Sequence, residues 1–366
     1  MLKLQQTSWH TVAIYTLVLF LCFSQSYRTI MADPKKTVSH TWKEVFQVLG
    51  FNVTLTREIR DPIVNATPFP DPNLPNQVAL SKDVPLNPPH SKFKSFIRLF
   101  VPVQLPRKTK LPLIIYIHGG GFVSSSPASS QFHEHCKNMS ARVQAVVASV
   151  NYRLAPEHPL PAAYEDAFDA ISWVHYQARF QRDLWLEQFA DFSRVFIMGS
   201  SAGANIAYHV SIRASYYNFG PLKIQGVLLD QPFFGAVKRT SSELRLIEDA
   251  HLPLYMADAF WTLALPFQAN RDHEFSNPFS CGFERDQRLP RWFVKDEEGD
   301  PMVDRAKELV RKLVVKKVPV VSRFYPGGFH GVEMVNMTAA LTLFQDVKNF
   351  IYNNDAAEVE VSDGSY

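Results

Sequence analysis

Residues 194–210 read RVFIMGSSAGANIAYHV: a strand-sized apolar run, the pentapeptide Gly199-Ser200-Ser201-Ala202-Gly203, and then small residues of helical character. A serine hydroxyl stays protonated at neutral pH and attacks a carbonyl only when it is exposed beside a base. A sharp strand-to-helix turn exposes it, and glycine two residues to either side lets neighbouring backbone approach closely enough to hold that turn. The spacing predicts a nucleophile at Ser201; Ser200, flanked by Gly199 and Ser201, cannot occupy the tip. The bland alternative is a glycine-rich turn with a surface serine, and the strand before and the helix after weigh against it.

A second glycine cluster closes the apolar run 113–122, LIIYIHGGGF. Consecutive glycines turn their amide N–H groups toward one point with no side chain in the way, which suits a developing oxyanion. Gly120, Gly121 and the N–H of Ala202 are the expected donors, with His118 shaping the loop rather than acting as a base. A phosphate cradle is excluded because no G-K-[ST] follows.

The serine's partners are expected downstream, acid before histidine. Four histidines follow Ser201: His209, His251, His273 and His330. His209 falls on the helix after the serine, and His251 and His273 fall in a presumed lid. His330, in YPGGFHG, follows a strand-like run and so reaches the sheet edge where doubly wound folds place their sites. For the acid, GDPMVD at 299–304 puts Asp300 in a loop, whereas Asp304 reads as a first-turn helix carboxylate. Asp296, Glu297 and Glu298 are rivals for that role and are read as solvated. His133-Glu134-His135 invites a metal reading, but alternate residues of a helix point apart and the spacing is not His-Glu-x-x-His.

HGGGF at 118–122, YRLAPEHPLPAAYED at 152–166, GSSAG at 199–203, GDPMVD at 299–304 and GGFHGVE at 327–333 together resemble the plant carboxylesterases of the hormone-sensitive-lipase-like group. The match runs in order from about Pro85 to Asn349. The resemblance implies an α/β-hydrolase fold capped by N-terminal helices and an insertion, and a small-molecule ester as substrate, with no metal and no cofactor. It implies a triad of Ser201, Asp300 and His330, the same residues reached above. It implies too that the 152–166 block braces the oxyanion loop, with Arg153, Glu157 and Asp166 in internal ion pairs. The chain departs from the group at Ala204, at Ser200 where many relatives carry Asp, in the acidic loop 295–300, and at 60–63, which lacks an Asp-Gly-Thr turn. Rival roles within the same resemblance are a hormone receptor, disfavoured because His330 is present, and a lyase, decarboxylating esterase or cyclase of specialised metabolites, whose dehydratase members tend to carry threonine at the elbow.

These groups need positioning elements. Apolar or β-branched runs recur at 96–102, 113–118, 145–152, 194–199, 224–229, 291–294 and 318–324, with helical periodicity at 162–178 and 302–315. Strands alternating with helices imply a doubly wound α/β sheet, mostly parallel, buried on both faces. Residues near 35–90 are Pro-rich and read as an extended wrap behind one or two short helices. Residues 235–278 break the strand rhythm with an aromatic helix around 255–265, a lid. Its Phe260, Trp261 and Phe267, with Phe233 and Phe234, suggest an apolar pocket. The expected organisation is one domain over 31–354, with the cap drawn from about 31–60 and 235–278 and an acidic tail at 355–366.

The whole composition fits this reading. The 366 residues carry 38 basic and 35 acidic side chains, a net charge of +3, which argues against a nucleic-acid partner. With 46% hydrophobic and 13% aromatic residues the chain can bury a large core. Cys22, Cys136 and Cys281 are too few for a disulfide framework. The uncharged run 12–23 has the size of a signal-peptide core and is shorter than a membrane span. Asn52, Asn65, Asn138 and Asn336 sit in Asn-x-Ser/Thr triplets that would suit secretion, whereas Met31-Ala-Asp-Pro-Lys-Lys reads as an ordinary soluble start. The cytosolic reading is taken, with the secretory pathway the alternative if residues 1–30 act as a signal peptide.

Overall fold

The computed structural model describes residues 62–70, 77–86, 95–105, 110–279 and 289–353. The run 12–23, the expected cap helices of 31–60, Cys22, Cys281 and the acidic tail lie outside them. Among the described residues one sheet holds β1 (Ala79–Leu86), β2 (Ser95–Pro102), β3 (Leu111–Ile117), β4 (Val146–Val150), β5 (Ala190–Ser200), β6 (Ile224–Asp230), β7 (Arg291–Glu297) and β8 (Val320–Tyr325). Their order across the sheet is β1-β2-β4-β3-β5-β6-β7-β8. β1 and β2, and β2 and β4, pair antiparallel; every other pair is parallel.

β3, LPLIIYI, is buried at every position, as expected of a parallel strand covered on both faces. β1 lies in the stretch read as an extended Pro-rich wrap, and the structure makes that part of it a strand of the sheet. As an edge strand it tolerates Pro85, which pairs with Phe96. Its Asp83 sits opposite Arg98 in register and takes a two-pronged ion pair from that buried guanidinium at 2.6 and 2.7 Å.

Side chains alternate along each strand, so Phe196 and Met198 of β5 join Ile114, Tyr116, Leu228 and Phe293 on one face. Two helices cover that face, α1 (Ser130–Met139) and α8 (Met337–Tyr352). Ala340, Leu343, Phe344, Val347, Phe350 and Ile351 form the buried stripe of α8, at helical spacing. The other residues of β5 meet α4 (Ala202–Ala214), against which α2 (Ala162–Phe180) packs. A short α3 (Leu184–Phe189) leads into β5.

Between β6 and β7 run α5 (Ser241–Arg245) and α6 (Leu254–Ala264), the latter matching the expected aromatic helix. α5 is tied to the turn before α7 (Val303–Val315) and to its first residues. Ser242 donates from its Oγ to the Pro301 carbonyl at 2.7 Å and from its amide to Asp304 at 2.7 Å. Arg305 of α7 forks onto Glu243 with two bonds of 2.9 Å, and both residues are almost wholly buried. Among the described residues no helix is long and apolar enough to cross a membrane.

A buried ion pair of this kind is costly to break from one side only. Arg305→Ala is expected to destabilise the fold by roughly 3–5 kcal/mol, and Arg305→Leu combined with Glu243→Met to recover most of it. Urea unfolding of the two variants beside the wild type checks this; equal losses in both would refute it.

Candidate active site

Because β3, β5, β6, β7 and β8 run parallel, their C-terminal ends open on one edge, and the chain resumes there with His118, Ser201, Gln231, Asp300 and His330. Ser201 bridges β5 and α4 with φ 55° and ψ −122°, a strained conformation for a residue with a Cβ. Two close approaches hold it. A Cβ on Gly199 would collide with the Gly203 carbonyl, and one on Gly203 with the Ile117 carbonyl of β3. The Ser201 amide donates to the Asp230 carbonyl at 2.9 Å, and its own carbonyl accepts from Phe233 at 3.1 Å.

His330 reaches the serine from the loop after β8, with Nε2 2.8 Å from Ser201 Oγ. Its Nδ1 lies 2.6 Å from Asp300 Oδ2. Asp300 is fully buried, and its other oxygen accepts from the Met302 amide at 2.7 Å. Burial alone would lower the His330 pKa, but the charge and hydrogen bond of Asp300, helped by Asp230 and Asp249, outweigh it and raise the imidazole above its ordinary 6.5. The structure thus brings Ser201, His330 and Asp300 together. Among the alternatives, His251 stacks on Phe329 at 3.6 Å, His209 stacks on Tyr164, and His273 meets Phe275.

The glycine loop lies against the serine: a Cβ on Gly119 would sit 3.2 Å from that of Ser201. Peptide planarity lets its carbonyls report on its amides. The Gly119 carbonyl accepts from His118 Nδ1 at 2.8 Å and from the Tyr152 hydroxyl at 3.3 Å. The Gly120 carbonyl accepts from the Val123 and Ser124 amides. With both carbonyls held, the N–H groups of Gly120 and Gly121 are set facing the opposite way. Ala202 opens α4, so its N–H has no acceptor within the helix. Burial pushes His118 down to about 4, which keeps it neutral, and it stacks on Tyr152 at 4.2 Å. Arg153 pairs with Asp166 and Glu165, and Glu157 lies at the surface.

Two expectations need correction. Asp296 and Glu297 are buried rather than solvated, because β7 continues to Glu297 and carries both inside. Burial and the neighbouring charge of Asp300 push the Asp296 carboxyl well above the usual carboxylate range. Glu298 is partly exposed and pairs with Lys307. The aromatics also divide. Phe234 and Trp261 are core, Phe267 is 82% exposed, and Phe260 is the one whose ring packs onto the Cα of Gly121. Phe233 stands between Phe260 and His330, edge-on to each.

A polar group beneath the serine escaped the sequence reading. Tyr116 donates to Ser200 Oγ at 3.1 Å, and Ser200 donates to Asp230 at 2.9 Å. An apolar flank would have been the sequence expectation for Tyr116, and only its hydroxyl hinted otherwise. His133 lies 3.1 Å from an Arg98 guanidinium nitrogen, and His135 is enclosed by the rings of Tyr116 and Phe344. Among the described residues no cluster of His, Cys, Asp or Glu could hold a metal ion.

A strand-to-helix turn bearing a serine, an imidazole from the loop after the last strand and a carboxylate from the loop after the strand beside it are the arrangement of an α/β hydrolase. The family described as alpha/beta hydrolase fold matches residues 114–334. The chain is 43% identical over 280 residues to "Probable carboxylesterase 8" of Arabidopsis thaliana, covering 74% of this chain and 84% of that protein. It is 41% identical over 314 residues to a 3-O-acetylpapaveroxine carboxylesterase of Papaver somniferum, covering 82% and 94%. An esterase of Pyrobaculum calidifontis superposes with a TM-score of 0.65 at 23% identity, over 86% of this chain and 99% of that one, a likeness of fold. The chain belongs to the α/β-hydrolase fold family, within the plant carboxylesterases of the hormone-sensitive-lipase-like group. It is a carboxylic ester hydrolase.

The electrostatics of His330 can be tested directly. Asp300→Asn removes the charge that raises the imidazole, so the ring is expected to titrate at a lower pH than in wild type. Proton NMR of the His330 ring against pH reads the shift; an unchanged or higher midpoint would refute the assignment of Asp300 as the dominant partner.

Proposed function

We propose that this hydrolase is a serine carboxylesterase in which Ser201 is the nucleophile, His330 the general base and acid, and Asp300 the residue that orients His330. The observation that carries the reading is the unbroken pair of contacts, 2.8 Å from Ser201 to His330 and 2.6 Å from His330 to Asp300. His330 Nε2 takes the serine proton as Oγ attacks the ester carbonyl. Asp300 accepts from Nδ1–H, which fixes the tautomer and stabilises the imidazolium. The N–H groups of Gly120, Gly121 and Ala202 receive the charge that develops on the carbonyl oxygen, each worth roughly 3–4 kcal/mol. His330 then hands the proton to the leaving alcohol, and a water activated by the same imidazole releases the acid. The scheme needs no metal or cofactor.

For the substrate we infer a short-acyl or methyl ester of a ring-bearing plant metabolite. Phe260 on Gly121 narrows the acyl side, and Phe233 offers an apolar wall beside His330. The Papaver relative's name, which specifies an acetyl ester, supports the same class. Residues 235–278 act as cap over this site.

Initial rates on p-nitrophenyl acetate, butyrate and octanoate test the reading. Turnover should fall with chain length. Ser201→Ala is expected to lose on the order of a million-fold in kcat, and His330→Ala a similar amount. Retained turnover in Ser201→Ala would remove it as nucleophile, and a folded wild type inert on all three esters would favour a lyase of the same fold.

Phe260→Ala should open the acyl side and raise the octanoate-to-acetate ratio of kcat/KM about 10-fold or more, since each buried methylene is worth ~0.8 kcal/mol. The same ester series measures it; an unchanged ratio would place the acyl group elsewhere.

A further inference from the structure

His330 sits in a loop that is poorly suited to holding anything still. Gly327, Gly328 and Gly331 all adopt left-handed backbone, with φ of 76°, 66° and 80°, and glycine gives up more conformational freedom on ordering than any other residue. Yet the imidazole must stay within hydrogen-bond reach of Ser201 and Asp300 together. Its first half is anchored where the Gly299 amide donates to the Gly327 carbonyl at 2.8 Å. Around His330 itself the restraint comes from β6.

Gln231 follows β6 directly and is 2% exposed. Its Nε2 donates to the Phe329 carbonyl at 2.9 Å, and its Oε1 accepts from the Gly331 amide at 2.7 Å. The Phe329 carbonyl belongs to the peptide plane entering His330, and the Gly331 amide to the plane leaving it. Two planar peptides joined at one Cα define its φ and ψ. One side-chain amide therefore fixes the backbone of His330, leaving only χ1 and χ2 to Asp300 and Ser201. The task needs a donor and an acceptor side by side on a neutral fork, which a carboxylate or an aliphatic side chain lacks.

The placement of Gln231 matters as much as its bonds. It holds left-handed backbone itself, with φ 46°, its amide is tied to the Lys295 carbonyl of β7 at 2.8 Å, and the preceding carbonyl, of Asp230, accepts the Ser201 amide at 2.9 Å. The dipeptide Asp230-Gln231 thus grips the serine with one residue and the histidine loop with the next. We infer that Gln231 is a positioning residue for the esterase reaction: its side-chain amide clamps both peptide planes of His330 and so sets the Ser201–His330 distance. The inference rests on the proposed roles of Ser201 and His330.

Gln231→Met keeps length and removes both bonds; Gln231→Glu keeps the acceptor for Gly331 and loses the donor to Phe329. With p-nitrophenyl acetate both should lose about 10- to 100-fold in kcat with KM within a few-fold of wild type, the signature of displaced reacting groups. The downfield Nδ1 proton of His330 should shift or broaden in each. Amide exchange on the wild type needs no variant: the Gly331 N–H should be strongly protected. Wild-type kcat in a folded Gln231→Met with an unchanged His330 signal, or a Gly331 amide that exchanges freely, would overturn the clamp. Failure of the esterase reading looks different, since Ser201→Ala would then retain turnover whatever Gln231 does.

Discussion

Everything at this site depends on how closely two backbones can approach. A serine held at positive φ between a strand and a helix is stable only if α4 starts almost in contact with the end of β3, and Gly199 and Gly203 are the residues at which any Cβ would prevent it. That approach brings the first turn of α4 against the end of β3, where the Ile117 and His118 carbonyls lie beside Gly203 and the glycine loop begins. The parallel strands do the rest, carrying the ends of β6, β7 and β8 to the same edge. The strain at Ser201, of order 1–3 kcal/mol, is small against the burial of the sheet that imposes it.

Beneath the edge lies a second constraint, electrostatic rather than steric. Lys295 is 1% exposed and meets Glu297 at 2.8 Å, Asp230 at 3.6 Å and Glu333. A buried ammonium without partners would be driven to neutrality, and isolated buried carboxylates likewise. Gathered together they join β6, β7 and the turn after His330 (Val332–Met334) in one charged knot. Burial raises the Asp230 carboxyl and Lys295 pulls it back, so the group that accepts from Ser200 is held by its neighbours rather than by solvent.

The parts of the site that were legible in the sequence are those whose chemistry demands a residue type at a fixed offset. Glycines flanking Ser201, a glycine run after β3, a loop aspartate before a helix and a histidine after the last strand each have a local reason, and the structure puts their bearers in contact. The strand-and-helix rhythm was legible for the same reason, since periodicity reports burial. What escaped depends on neighbours distant in sequence. β1 went unread as a strand because nothing in its Pro-rich surroundings says that it lies at the edge of the sheet. Asp296 and Glu297 looked solvated because charge suggests surface, whereas the continuation of β7 under the site is decided by its pairing with β8. Which aromatic faces the site was likewise a matter of packing: Trp261 stacks flat on Phe233 at 4.9 Å inside the core, while its neighbour Phe260 turns to the glycine loop.

The glycine loop lies at the edge of the sheet beside Ser201, and what it presents there is main chain. Such atoms are identical in every residue but proline, so no exchange of side chains at Gly120 or Gly121 could tune them chemically; it could only move them. Their geometry is instead inherited through bystanders: Tyr152 holding the His118 and Gly119 carbonyls, Ser124 bonding back to Gly120 at 3.1 Å, and the ring of Phe260. A substitution at any of these bystanders therefore reaches the loop's backbone only by displacing it, never by changing what its atoms are.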